Sequence, residues 1–301
     1  MISYEFLCCP LCKGDLEFGA AALKCLSCAI DYPVLDGIPV LVDPAQKSAH
    51  LEGQIRFFDR QARRRPPYIL CPWMRSYLER FKDAFPGFTA GTAVDCGTGF
   101  GYMAVELARM GFNVIAFDIT MQNLVNLQEQ LAGMDLAGEM HLVCCDAQKL
   151  PLKAATADVM VSIWLLEHLP HEMEAISEMN RVSKPDARLM IGLPLKYRYL
   201  NPLLIPVHYF YDKYVGHLRR YNEAGLSASF EEWDLVGTYY TGQFLKTAKT
   251  GANKATKLFT DELFSEDKIE VDDRKKENHR YGATNMACMY ARRPATGTEQ
   301  S

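Results

Sequence analysis

The stretch Val94-Asp95-Cys96-Gly97-Thr98-Gly99-Phe100-Gly101 decides the fold. It closes a short apolar run that starts at Thr92, places a glycine at every second position, and opens a helical pattern, Tyr102–Met110, that stops at Gly111. A strand that turns through glycines into a helix presents bare backbone amides to a ligand of nucleotide type. The dinucleotide fingerprint needs G-x-G-x-x-G. Gly97 and Gly99 supply its first two glycines, but its third position holds Tyr102. An acid, Asp95, also stands two residues before the first glycine. A pyrophosphate is an anion and favours bare amides, whereas a carboxylate beside the loop suits a ligand with a cationic end.

The same cadence continues on both sides of the loop. Asn113–Phe117 reads as a strand that ends in Asp118, Met140–Cys145 as one that ends in Asp146, Asp158–Trp164 as a fourth, and Arg188–Leu193 as a fifth, ended by Pro194. Helical patterns fall at Arg75–Phe85, Met121–Leu131 and Glu172–Val182. Apolar strands alternating with helices predict an α/β fold with a parallel sheet covered on both faces. Leu235–Thr241 and Asn285–Ala291 read as two late strands. Ligands bind at the carboxyl ends of such strands. There Asp118 can accept from two vicinal ribose hydroxyls, and Asp146 from an adenine amine. Each acid alone also fits a helix N-cap or a turn; three at successive strand ends, with the glycine loop, form a ligand set.

The 301 residues allow two domains, or one large domain with an appendage. With 49% hydrophobic and 23% charged residues the chain has material for a full core. A net charge of −4 gives it no global drive towards nucleic acid or an anionic membrane. No stretch approaches the ~20 apolar residues of a membrane span, and the N-terminus has no signal-peptide pattern. Of the ten cysteines, Cys96, Cys144, Cys145 and Cys288 sit in apolar runs as small hydrophobes, and Cys71 stands alone. A cytoplasmic, reducing compartment is expected.

Cys9-Pro10-Leu11-Cys12 and Cys25-Leu26-Ser27-Cys28 are two C-x2-C knuckles. Four thiolates at this spacing suit a tetrahedral zinc, and with every position filled by protein its role is structural. A module this short has too little core to fold without such a staple. The expected organisation is a zinc ribbon at 1–43, a linker or loose helical arm at 44–74 carrying Arg60, Arg63, Arg64, Arg65 and Pro66-Pro67, and an α/β domain at 75–301 with insertions at about 195–225 and 242–283.

Two resemblances follow from these motifs. "CPLCKGDL" (9–16), "CLSC" (25–28) and "YPVLDGIPVLV" (32–42) resemble the zinc-ribbon segment at the N-terminus of many bacterial and archaeal methyltransferases, also found in small partner proteins of RNA and protein methyltransferases. "VDCGTGFG" (94–101), "FD" (117–118), "CDAQKLPL" (145–152), "ADVMVSIWLLEHL" (157–169) and "RVSKPDARLMIGLP" (181–194) resemble class I methyltransferases dependent on S-adenosylmethionine (SAM), of the group acting on small molecules and lipids. SAM carries a sulfonium and an ammonium and no phosphate, as the acid beside the loop suggests. Cys96 stands where a hydrophobic or small residue is usual, and Asp186-Ala187 where the family usually has two glycines. The resemblance spans about 92–241 and implies a Rossmann-like seven-stranded methyltransferase sheet. It also implies cofactor contacts at Asp95, Gly97, Gly99, Asp118, Asp146 and the Ala147 backbone, with Thr98, Gly101 and Ile119 in the same motifs and Trp164 near the pocket.

The acceptor side is less legible, because methyl transfer needs alignment above all and a base only for a poorly acidic nucleophile. His168, His217 and Tyr221 are the catalytic candidates. His168 fits a base or a residue that positions its loop. His217-Leu218-Arg219-Arg220-Tyr221 resembles a "GHLRRY" stretch of related methyltransferases; its arginines suit an anion clamp or ion pairs with acids in a helix at 223–232. Tyr197, Tyr199, Tyr209, Phe210, Tyr211 and Tyr214 suit a substrate wall or core packing. The function expected is SAM-dependent methylation of O or N on a small-molecule, glycan or lipid-intermediate, or natural-product acceptor. The alternatives are an RNA methyltransferase that uses the ribbon for RNA contact, and a non-catalytic SAM-binding subunit that docks a protein partner through the ribbon.

Overall fold

The computed structural model describes residues 4–19, 21–45, 48–64, 72–243 and 265–294. The expectations for Arg65, Pro66-Pro67 and Cys71, and for half of the insertion at 242–283, fall outside the described residues.

The ribbon forms β1 (Leu16–Phe18), β2 (Ala22–Cys25), β3 (Asp31–Leu35) and β4 (Ile38–Leu41), and α1 (Ala49–Ala62) and α2 (Pro72–Ala84) follow. The α/β part then runs β5 (Gly91–Cys96), α3 (Tyr102–Met110), β6 (Phe112–Asp118), α4 (Met121–Leu131), β7 (Met140–Cys145), β8 (Ala157–Ile163), α5 (Glu172–Val182) and β9 (Ser183–Pro194). After it come α6 (Ile205–Val215), α7 (Glu223–Ser227), β10 (Trp233–Thr241), α8 (Glu266–Lys275) and β11 (Asn285–Arg292). Strands β7-β6-β5-β8-β9-β11-β10 lie side by side, with β11 antiparallel to both its neighbours. Side chains alternate across the sheet. Val94, Cys96, Ile115 and Phe117 pack with α5 on one face, and Ala93, Val114, Ala116 and Val161 with α2, α3 and α4 on the other.

The expected seven strands are extended to eleven. Strand β4 adds in parallel to β7, pairing Val40 with Cys144 and Leu41 with Cys145, and β3, β2 and β1 continue outward. The unpaired amides and carbonyls of β7 are thereby covered, which is how sheet edges are kept from other chains. The ribbon is also welded to the segment after β7. Cys8 N donates to Pro151 O and Lys153 N to Phe6 O, while Leu7, Leu23 and Tyr32 join the core that holds Phe117 and Leu150. Lys13 pairs with Glu178 at 2.6 Å and Lys149 with Asp43 at 2.9 Å.

One open alternative is resolved and one expectation is corrected. Of the alternatives for 44–74, a regular helix α1 is found at Ala49–Ala62, docked on α4 by Asn126 Nδ2 donating to Ala62 O. Its Arg60, and Arg63 and Arg64 just past its end, are exposed, with Arg63 paired to Asp59. The helix expected at 223–232 is only α7, Glu223–Ser227. At Asp186 the backbone takes φ 63°, the left-handed turn that a glycine would supply and that Asp tolerates better than most residues.

Candidate functional site

A cavity of about 740 Å³ opens at the carboxyl ends of β5, β6, β7 and β8. The glycine loop forms its floor. Gly97 (φ 73°) lets Gly97 N and Thr98 N both donate to Phe117 O, tying the loop to β6. Gly101 (φ 75°) caps α3 from behind, where a Cβ would lie 2.6 Å from the Leu127 side chain. Its role is close packing, and it does not line the cavity.

The three acids sit where the sequence predicts. Asp95 is buried and accepts from Thr98 Oγ1 at 2.7 Å. Burial raises its pKa to about 7, against the Thr98 hydrogen bond. A cation seated beside it would favour its ionised form. Asp118 is fixed by Thr120 N (2.7 Å) on one oxygen and by Gly99 N (2.9 Å) and Asn123 Nδ2 (3.2 Å) on the other. Burial raises its pKa and those donors oppose the rise. Asp146 accepts from Gln148 N at 2.9 Å. These acids line the cavity together with Gly97, Thr98, Gly99, Ile119, Ala147 and Trp164.

Across the cavity, His168 and His217 stack edge to face, centroids 4.8 Å apart. Asp212 holds His217: its Oδ1 accepts from His217 Nδ1 at 2.9 Å, and its two oxygens also take Arg220 Nε (2.6 Å) and a terminal Arg220 nitrogen (2.8 Å). The Tyr197 hydroxyl donates to it as well. Burial alone would raise the Asp212 pKa, but His217, Arg220 and Tyr197 together hold it well below the usual carboxylate range. Glu167 is fully buried, its Oε1 3.8 Å from His217 Nε2, and burial pushes its pKa to about 8. Burial, then the neighbouring His217, lowers His168 to about 3. Glu167, His168 and His217 thus bring three polar atoms within 4.8 Å of one another.

Tyr221 is not part of this group. Its amide donates to Pro194 O and its carbonyl accepts from Lys196 N, and burial raises its phenol far above the ordinary value. It does not line the cavity. The arginines do not pair with acids at 223–232: Arg219 pairs with Glu172 and Arg220 with Asp212. The aromatic segment divides. Tyr211 lines the cavity and Tyr199 is buried, while Phe210 and Tyr214 of α6 face outward.

Several lining residues were not singled out in the sequence. Ser48, His50, Leu51, Gln54 and Phe58 of the former linker form one wall, and His50 Nε2 meets His168 O at 2.8 Å. Trp73 stands 5.0 Å from Trp164. Asp212 was hidden among aromatics; that it is the only acid between Lys196 and Tyr221 was the available signal.

The four ribbon sulfurs, Cys9, Cys12, Cys25 and Cys28, lie within 4.8 Å of one another. Cys12 Sγ and Cys25 Sγ are 3.5 Å apart, near the edge of about 3.8 Å that 2.3 Å bonds give a tetrahedron. Gly14 N and Cys28 N donate to Cys12 Sγ and Cys25 Sγ, as thiolates require. Lys13 and Ala29, each one residue beyond its knuckle, both take positive φ. The donor set is compatible with zinc.

Compared with known proteins, residues 94–191 match the methyltransferase domain family and residues 4–37 the Trm112p-like protein family. Over 124 residues the chain is 31% identical to the ubiquinone/menaquinone biosynthesis C-methyltransferase UbiE of Ectopseudomonas oleovorans, covering 40% of this chain and 73% of that one. Over 103 residues it is 34% identical to the malonyl-[acyl-carrier protein] O-methyltransferase of a Methylovorus species, covering 32% of this chain and 34% of that one. The chain spans only about half the length of most of the first curated relatives it matches. The solved phosphoethanolamine N-methyltransferase 2 of Haemonchus contortus, in complex with SAM, shares the fold with a TM-score of 0.55 at 16% identity, over 85% of this chain and 62% of that one.

Proposed function

Because this chain belongs to the class I SAM-dependent methyltransferases, we propose that it methylates a small-molecule acceptor seated between the glycine loop and His217. The observation that carries this reading is the Asp212–His217 pair facing the acid-lined loop across one cavity. SAM would supply, when bound, an electrophilic methyl on a sulfonium whose sulfur keeps the C–S electron pair as the methyl leaves, giving the neutral thioether. Asp95, Asp118 and Asp146 hold that cofactor, with Asp118 accepting from the ribose and Asp95 beside the cationic end.

His217 is the general base. Asp212 accepts from Nδ1–H, which fixes the tautomer and leaves Nε2 as the proton acceptor. The acceptor atom loses its proton to Nε2 as it gains the methyl carbon, and Asp212 stabilises the imidazolium that results. Glu167, neutral at pH 7 with its pKa near 8, adds no second charge there. His168, its pKa lowered to about 3, is a poor base; it positions the wall that His50 and Phe58 share. Tyr221 takes no part in the proton transfer. The expected nucleophile was O or N. The likeness to C-methyltransferases adds an acidified carbon, which a histidine base also serves.

Zinc held by Cys9, Cys12, Cys25 and Cys28 shapes the ribbon that covers β7. A nucleic-acid acceptor is disfavoured: of the ribbon's bases Lys13 and Lys24, Lys13 is spent on Glu178. Among the described residues no helix is long and apolar enough to cross a membrane. The test is labelled methyl transfer from SAM to small-molecule fractions by wild type and His217→Gln. Labelling that persists in the variant would overturn the assignment of the base.

A further inference from the structure

Behind the His217–Arg220 segment lies a second cavity, of about 490 Å³, separate from the floor that holds the three acids. His217 and Arg220 line both cavities, so the two chambers share a wall. The second one is cationic: Lys196, Arg198, Lys213, Arg219 and Arg220 line it, and Asp212 is its one carboxylate. Asp212 is already engaged by His217, Arg220 and Tyr197. Glu172 neutralises Arg219. Among the described residues no carboxylate lies in ion-pair range of Lys196, Arg198 or Lys213. Arg198 instead donates to the Tyr199 hydroxyl at 2.6 Å, and Lys213 Nζ sits 5.7 Å from the Tyr209 ring centre.

Lys196, Arg198 and Lys213 reach solvent, yet three cations without a carboxylate partner in one concavity of a chain of net charge −4 make a local positive field that suits an anionic ligand. Two ammonium groups and a guanidinium offer more donors than the two oxygens of one carboxylate can accept, and suit the oxygens of phosphate better. We propose that this cavity holds a phosphate or diphosphate group of the methyl acceptor, whose reacting atom extends past His217 into the first cavity. This inference rests on the methyltransferase reading for what happens to the ligand, but not for whether the anion binds. The acceptor class is then a phosphorylated small molecule or a lipid-borne phosphate. The outer face of α6 beside the cavity exposes Phe210 and Tyr214, with Leu203 just before it, a surface on which an apolar tail could lie.

The test is calorimetric titration of the full-length, zinc-loaded protein with inorganic pyrophosphate, geranyl diphosphate and geraniol, and separately with S-adenosylhomocysteine. Pyrophosphate is expected to bind one per chain. Lys196→Ala and Lys213→Ala should each weaken it by roughly tenfold, as loss of one charge-assisted contact does, while affinity for S-adenosylhomocysteine stays unchanged. Geranyl diphosphate binding more tightly than pyrophosphate, with geraniol silent, identifies a lipid-borne source; equal binding of the two diphosphates identifies a soluble one. No pyrophosphate binding by protein that binds S-adenosylhomocysteine, or binding that both variants leave intact, overturns the proposal. Pyrophosphate bound in the expected way by protein that ignores S-adenosylhomocysteine would sustain the anion site and strike only the cofactor reading.

Discussion

Asp212→Asn removes one charge from the most highly coordinated carboxylate of the site. In the wild type that group receives hydrogen bonds from His217, from two nitrogens of Arg220 and from Tyr197. The Arg220 side chain is itself buried; besides Asp212 it donates to the Leu195 carbonyl at 2.9 Å and lies over the Tyr197 ring, neither of which carries a full negative charge. The amide keeps the shape but leaves the guanidinium without a counter-charge. Breaking a buried pair from one side costs on the order of 3–5 kcal/mol, a large share of a typical domain's stability. The pH dependence follows from the depressed folded-state pKa. The carboxylate's contribution is complete above its unfolded value of about 4 and is lost as pH falls through the lower folded value. Urea unfolding at several pH values measures this directly. Wild type should exceed the variant by roughly 3 kcal/mol or more at pH 7, and the gap should close in acid. A gap under about 1 kcal/mol at pH 7, the size of an exposed pair, would refute the claim that Asp212 balances a buried arginine. The double variant Asp212→Asn with Arg220→Met guards against an unfolded single variant, because it should recover much of the loss.

Three more outcomes follow. His217→Gln should lower kcat by roughly 10²–10⁴-fold with SAM affinity unchanged, and His168→Gln should cost far less; equal losses would remove the distinction between base and wall. Glu167→Gln should gain stability over wild type as pH rises from about 4.5 towards 8, because the raised carboxyl binds its proton more tightly in the folded state than in the unfolded one and so loses stability over that window; a gap between the two that does not change with pH would contradict its burial as an acid. Metal analysis should give one zinc per chain, and chelation or Cys25→Ser should lower Tm; a metal-free chain with undiminished Tm would show that the ribbon folds on its core alone.

The α/β part was legible because its strands are buried on both faces and end in turns. α3, α4, β7 and α5 start and stop where their apolar patterns place them, with Gly111 closing α3 and Pro185 following α5. The acids Asp118 and Asp146 could be placed because strand ends are where open sheets bind ligands. What the sequence hid depends on contacts between distant segments. α1 keeps a helical period, Leu51, Ile55, Phe58 and Ala62, but carries few other apolar residues and buries little but Ala62, so nothing local shows that it walls the cavity through His50 and Phe58. The ribbon's pairing with β7 joins Val40 to Cys144, far apart in the chain, and nothing local encodes it. Asp212 sits in a run of aromatics, where only the fold brings His217 and Arg220 to it.

The central claim is that the glycine loop and its acids hold SAM, and calorimetric titration of SAM into wild type and Asp118→Ala tests it most directly. Wild type should bind one SAM per chain. Asp118→Ala should weaken binding by roughly tenfold or more, the loss of at least one hydrogen bond to a charged acceptor, with the circular dichroism spectrum unchanged. A folded variant that binds SAM as tightly as wild type, or a folded wild type that does not bind it, would contradict the account.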